Sequence, residues 1–439
     1  MKRLLVAIAV VGSACAIEPP VPMGVVLITL DTTRADRLSP YGFGDAHMPA
    51  LDRLAREGVV FDQATTVAPL TLPAHASLLT GLLPPHHRVR DNASAPLGND
   101  HVTLAEVLAA RGYRTAAFVG SAVLDPDRGL RQGFQEYGGI SRDTSNPLAP
   151  VGRGLQRPAG AVMDDAVRWL ATVDHAPFLL WTHLYDPHRP YEAPEPFASR
   201  HDPYVAEIVY ADSQIGRVLD ALDRRHLLDR VVVIVAADHG ESLGDHRERD
   251  HGVFLYESVL RVPLILRAPG VHPARVATVV RLTDVMPTIL DLLGLPVPPL
   301  DGISLLATLN GQPADRDAYA ESLYPRRHGW APLFSLRSDR FKFIDAPRPE
   351  LYDLHLDPFE ERNILEQRQE LAAALRTRLR SLEQPQPATG ARVPVDAELH
   401  ARLAALGYVA GGAPEIHPGD PHLPDPKACT GVFESGRCK

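Results

Sequence analysis

The feature that most constrains this chain is a run of seven apolar residues, Val231–Ala237, that ends directly in Asp238-His239-Gly240-Glu241. A β-branched apolar run of this length, bounded by a turn signal, reads as a strand buried on both faces. Such strands belong to parallel sheets covered by helices, where ligands gather beyond the carboxyl ends. A carboxylate and an imidazole at that end, with Gly240 allowing the backbone to turn, form half of a metal site. Asp31 offers the other half, because it ends a second apolar strand, Gly24–Leu30. Between the two lies Thr71-Leu72-Pro73-Ala74-His75-Ala76-Ser77-Leu78-Leu79-Thr80-Gly81. Pro73 suits the first turn of a helix, which places Thr71 where unpaired backbone amides face an anion. A simple helix cap is the alternative use of such a Thr.

Strand-like and helix-like segments alternate as far as Gly294. Further strands are expected at 113–119, 178–184 and 262–266, and helices at 50–58, 73–79, 103–111, 161–173, 204–226 and 284–293. The alternation predicts an α/β fold, a mostly parallel central sheet sandwiched by helices. After Leu295-Pro296-Val297-Pro298-Pro299 the texture changes to short strands at 318–321, 333–337, 340–344 and 351–354, followed by a helix over 365–383. The expected division is a signal over 1–19, a main domain over 20–294, a smaller C-terminal antiparallel sheet and helix over 295–383, and a linker with an unpacked tail over 384–439. Residues 141–157 read as a long loop near the rim of the site.

A net charge of −9 and the lack of any basic tract argue against a nucleic-acid partner. Lys2 and Arg3, the apolar stretch 4–11 and Gly12-Ser13-Ala14-Cys15 have the form of a secretory signal, too short to span a bilayer. The small residues before Cys15 resemble a lipoprotein processing site, making Cys15 a candidate lipid anchor; plain cleavage near Ala14 or Ala16 is the alternative. Export to the periplasm or outer surface is the expectation. No cysteine lies between Cys15 and Cys429, so a thiolate metal site is excluded there, while Cys429 and Cys438 can pair in an oxidising compartment.

Asp31 with Arg34-Ala35-Asp36-Arg37-Leu38 and Tyr41-Gly42, the Thr71 to Gly81 segment, Asp238-His239-Gly240, and Leu351-Tyr352-Asp353-Leu354 with Asp357-Pro358-Phe359-Glu360 occur in one order along most of the chain. Together they resemble the sulfatase family of the alkaline phosphatase superfamily. The resemblance implies a metal-dependent ester hydrolase whose catalytic domain is the main domain. It implies Asp31, Thr71, Asp238 and His239 as metal ligands and Thr71 as nucleophile, with His75 replacing the Arg of the family's nucleophile signature. His183-Leu184-Tyr185-Asp186-Pro187-His188 resembles the segment that binds the ester oxygens, and His251 stands where the family carries a substrate-binding Lys. His183, Asp186, His188 and His251 are therefore substrate-binding candidates, and His188 and His251 also candidates for protonating the leaving group.

The departures from the family pattern carry the functional reading. Sulfatases of the common type oxidise a Cys or Ser to an aldehyde at the position of Thr71, whereas oxidation of a Thr would leave a ketone. An unmodified Thr resembles the superfamily members that attack phosphorus, so cleavage of phosphate mono- or diesters is the expectation. Sulfate-ester hydrolysis without the aldehyde, and a degenerate anion-binding protein, are the alternatives. Thr32 and His239 stand where the family usually places Asp and Asn. Trading a carboxylate for an imidazole shifts the single divalent ion from Ca²⁺ or Mg²⁺ toward Zn²⁺ or Mn²⁺. A second ion held by Asp186, His188 and His251 is a further possibility. A small-molecule, glycan or lipid ester is the expected substrate, with water or an alcohol as acceptor, and the oligomeric state is left open. Trp330 is a candidate for stacking on a leaving group or for interdomain packing, and His246 is expected to be solvated.

Overall fold

The computed structural model describes residues 22–140, 156–174, 176–312, 316–383 and 423–429. The signal-like segment with Cys15, nearly all of the 141–157 loop, the linker beginning at 384 and Cys438 lie outside the described residues.

The main sheet contains β1 (Gly24–Leu30), β2 (Val59–Thr65), β3 (Arg114–Val119), β4 (Glu136–Gly138), β5 (Phe178–Leu184), β6 (Val231–Ala237), β7 (Arg261–Val262), β8 (Leu264–Arg267) and β9 (Ala274–Arg281). Their order is β4-β3-β5-β1-β6-β8-β2-β7, with β9 beside β2. The five strands from β4 to β6 run parallel, and β8 turns antiparallel against β6. Strands β1, β5 and β6 are buried along their whole length, as their largely apolar sequences require for a sheet covered on both faces. The helices Ala159–Thr172 and Pro203–Arg224 pack on each other through their apolar stripes.

Register places the site. Leu30 pairs with Leu184 on one side and Ala237 on the other, so Asp31 and Asp238 are each the first residue beyond adjacent strand ends. The chain leaves β1 for β2 on one flank and later returns to β3 on the other, which opens a crevice at this point.

The second sheet is antiparallel, β10 (Ala318–Ser322), β11 (Leu333–Arg337), β12 (Phe341–Asp345) and β13 (Glu350–Asp353), with the helix Gln369–Leu382 against it. Part of the expected tail is packed here. Ala331 donates its amide to the Pro424 carbonyl at 2.9 Å, Lys427 pairs with Glu350 at 2.9 Å, and Cys429 is buried and disulfide-bonded. Trp330 is buried in the same apolar cluster as Tyr256, Tyr352 and Cys429, so its part is packing. No described helix is long and apolar enough to cross a membrane.

Candidate metal centre

Asp31, Thr71, Asp238 and His239 converge, and all four are fully buried. Thr71 begins the helix Thr71–Thr80, two residues earlier than its Pro73 suggests. Gly240 is required for the turn after β6, because a Cβ there would lie 2.1 Å from the Ser258 carbonyl oxygen. The His239 Nδ1–H donates to the Gly240 carbonyl at 3.0 Å, which fixes the tautomer and leaves the Nε2 lone pair facing inward. That Nε2 lies 3.4 Å from Thr71 Oγ, 3.8 Å from Asp31 Oδ1 and 3.6 Å from Asp238 Oδ2. Such separations match atoms that share one ion at about 2.1 Å, since the edge of that tetrahedron is about 3.4 Å.

The electrostatics point the same way. Asp238 Oδ1 accepts the Thr32 and His239 amides at 3.2 and 2.7 Å, but its Oδ2 and both Asp31 oxygens have no hydrogen-bond partner among the described residues. Burial pushes the Asp31 carboxyl up to about 7; burial and the neighbouring Asp31 charge do the same to Asp238. Two fully buried neighbouring carboxylates are costly to ionise, and a divalent ion at this point would remove that cost. Thr32 takes no part, because its hydroxyl donates to the Pro187 carbonyl at 2.8 Å.

The histidines divide into distinct positions. His183 lies on β5 with Nε2 3.1 Å from Asp31 Oδ2. His75 Nδ1–H donates to the Thr71 carbonyl at 2.7 Å, and its Nε2 accepts from Thr29 Oγ at 3.0 Å, which in turn accepts from the Trp181 indole at 3.1 Å. With both nitrogens engaged, His75 braces the helix start from beneath, unlike the catalytic position that the motif suggests. His188 stacks on Tyr185 at 4.4 Å and meets His251 edge-on at 5.1 Å, and the His251 ring lies 4.5 Å from that of His239. Burial pushes the His188 imidazole down to about 3 and His251 well below its usual range.

Asp186 is placed elsewhere than the sequence suggests. Both its oxygens accept the Ala159 amide, at 3.0 and 2.8 Å, so it caps the helix Ala159–Thr172 instead of joining His188 and His251 around a second ion. His246 also departs from expectation, since its ring stacks on Tyr256 at 3.6 Å. Sequence reasoning missed Glu241, a buried carboxylate with Oε1 3.3 Å from His251 Nδ1 and Oε2 accepting from Tyr191 at 3.3 Å. Its place in the Asp-His-Gly-Glu run was the available signal. Asn92, which accepts the Leu72 amide at 2.8 Å, carried no such signal. A cleft of about 1030 Å³ lined by Arg34, Arg247, Tyr256 and Phe359 contains none of the converging residues.

Comparison with known proteins agrees with this geometry. A family model described as Sulfatase matches residues 24–295, and one described as N-sulphoglucosamine sulphohydrolase, C-terminal, matches residues 244–385. The chain is similar to a choline-sulfatase of Rhizobium meliloti (strain 1021), 28% identical over 426 residues, covering 78% of this chain and 82% of the relative. It is similar to an ulvan-active sulfatase of Formosa agariphila, 28% identical over 403 residues, covering 79% and 78%. Among solved structures, a phosphonate monoester hydrolase of Agrobacterium radiobacter superposes with a TM-score of 0.69 at 25% identity, covering 82% of this chain and 95% of that one.

Proposed function

The chain belongs to the sulfatase family of ester hydrolases, and from that premise we propose that it cleaves phosphate-type esters with Thr71 as nucleophile. The observation that carries the reading is the Thr71 hydroxyl, 3.4 Å from His239 Nε2 at the head of a helix and near the partnerless oxygens of Asp31 and Asp238. Its β-carbon bears a methyl group, so no aldehyde can arise there, and the hydroxyl itself is the available nucleophile. The similarity to a phosphonate monoester hydrolase supports phosphorus as the centre attacked.

Asp31, Thr71, Asp238 and His239 would hold the divalent ion, and the imidazole in that set favours Zn²⁺ or Mn²⁺. When bound, the ion lowers the proton affinity of the Thr hydroxyl and offsets charge on the ester oxygens. The Thr71–Thr80 helix turns the positive end of its dipole toward the same anion, while its Leu72 amide is held by Asn92. His75 holds Thr71 in place from below. His188 and His251 line the side next to His239; an entering anionic ester raises their proton affinity, so that they can hold its oxygens and protonate the leaving group. Glu241 orients His251 through Nδ1.

The second reading, sulfate-ester hydrolysis through the same hydroxyl, is favoured by the choline- and ulvan-active sulfatase relatives, which also make a small-molecule or glycan ester the expected substrate class. A panel of matched aryl phosphate, phosphonate, phosphodiester and sulfate esters separates the two. The phosphorus esters should turn over faster, Thr71→Ala should abolish turnover, and Thr71→Ser should retain part of it. Faster cleavage of the aryl sulfate would move the assignment to the second reading, and full activity in Thr71→Ala would remove Thr71 from both.

A further inference from the structure

One fully buried imidazole at the centre, His183, is a substrate-binding candidate by sequence but takes no part in the arrangement above. His183 pairs in register with Thr29, two residues before Asp31, so its backbone lies about 6–7 Å below the row of strand-end groups. A substrate arriving at the strand ends meets Asp31, Asp238, His239 and Thr71 first. Both His183 nitrogens are without a hydrogen-bond partner among the described residues. Nε2 is 3.1 Å from Asp31 Oδ2 yet out of line for a hydrogen bond, and Asp31 is itself unpartnered. The same imidazole groups with His75 and Asp238 within 4.8 Å, and this group shares Asp238 with the Asp31, Asp238 and His239 group. Buried polar atoms left unpaired are costly, and here both His183 nitrogens, both Asp31 oxygens and Asp238 Oδ2 are left so close together.

We propose that His183 Nε2 is a further protein ligand of the divalent ion, taking the place of the side chain that Thr32 turns toward the Pro187 carbonyl. The neighbouring His75 is excluded from that part, because Thr71 and Thr29 occupy its two nitrogens. The donor set becomes two carboxylates, two imidazoles and the Thr71 hydroxyl. Two imidazoles shift selectivity further from Ca²⁺ and toward Zn²⁺. The inference rests on the metal reading above, and its test keeps the two apart.

The test is an X-ray absorption measurement at the zinc edge on metal-stripped full-length protein reloaded with Zn²⁺, combined with chelator-competition affinities for wild type, His183→Gln and His183→Ala. The expected result is two imidazoles per zinc in wild type and one in either variant. Affinity should fall by more than the roughly 10–100-fold that loss of a supporting hydrogen-bond partner costs. Wild type needs no substitution to fold, so its imidazole count decides the matter even if a variant fails. A single imidazole in wild type would overturn the role of His183 and leave the Asp31–Thr71–Asp238–His239 centre standing. Failure of wild type to bind any ion would overturn both.

Discussion

Two regions of the molecule bury opposing sets of charge, and they resolve the same physical problem in different ways. At the junction with the second sheet, Lys342 Nζ lies 3.1 Å from Glu257 Oε1 and 2.9 Å from Glu360 Oε1, while Arg337 reaches Glu257 Oε2 at 2.7 Å. Two carboxylates meet two cations: Arg337 and Lys342 hold the Glu257 carboxyl below its usual range against burial, whereas burial raises Glu360 to about 7 although Lys342 pairs with it. At the strand ends, Asp31 and Asp238 are as deeply buried, but among the described residues no Arg or Lys pairs with either. Both of their carboxyls are pushed up. The first cluster is closed within the chain and clasps the second sheet to the main domain. The second is incomplete without a cation, and that incompleteness is what marks it as a binding centre.

The contrast breaks if the two clusters respond alike to losing one charge. Lys342→Met leaves Glu360 buried without its cation and should destabilise the fold by about 3–5 kcal/mol in denaturant unfolding. Asp238→Asn, which keeps an acceptor oxygen for the Thr32 and His239 amides, should instead raise the melting temperature of metal-free protein while reducing turnover at least about 1000-fold. Equal destabilisation by both substitutions would erase the distinction.

The pH dependence of stability sharpens the contrast. The Asp31 and Asp238 carboxyls rise from 3.8 unfolded to about 7 folded, so the native state binds their protons more tightly. Their contribution is fully present below pH 3.8 and is lost as pH rises through about 7. Melting temperature of metal-free protein should therefore fall between about pH 4 and 7 relative to Asp31→Asn, and a bound divalent ion should remove the difference. A flat difference across that range would contradict the burial argument. The smallest effect is expected at His246, whose stacking on Tyr256 borders the clasp. His246→Ala should cost about 0.5–1.5 kcal/mol in unfolding and leave turnover unchanged.

Much of this was legible in the chain. Strands β1, β5 and β6 were readable to the residue, because largely apolar runs of strand length mark buried parallel strands, and Thr71 was singled out by the motif around it, the proline suggesting only that a helix starts nearby. Strand β9 was not, since its outward residues are largely exposed and it carries no apolar run. Nor was the use of Asp186, because a helix start 27 residues away in sequence claims it only through the fold. The depth of His183 depends on its register with Thr29, and the engagement of His75 depends on Thr29 and Trp181. Register between strands more than 150 residues apart leaves no trace in local spacing.

The account stands most directly on one titration. Metal-stripped wild type and Asp238→Asn, confirmed folded by their melting curves, would each be titrated calorimetrically with Zn²⁺ and Mn²⁺. The account predicts one strongly bound ion per chain in wild type, with a rise in melting temperature, and loss of that binding in Asp238→Asn. Wild type that binds neither ion, or Asp238→Asn that binds as tightly as wild type, would contradict it.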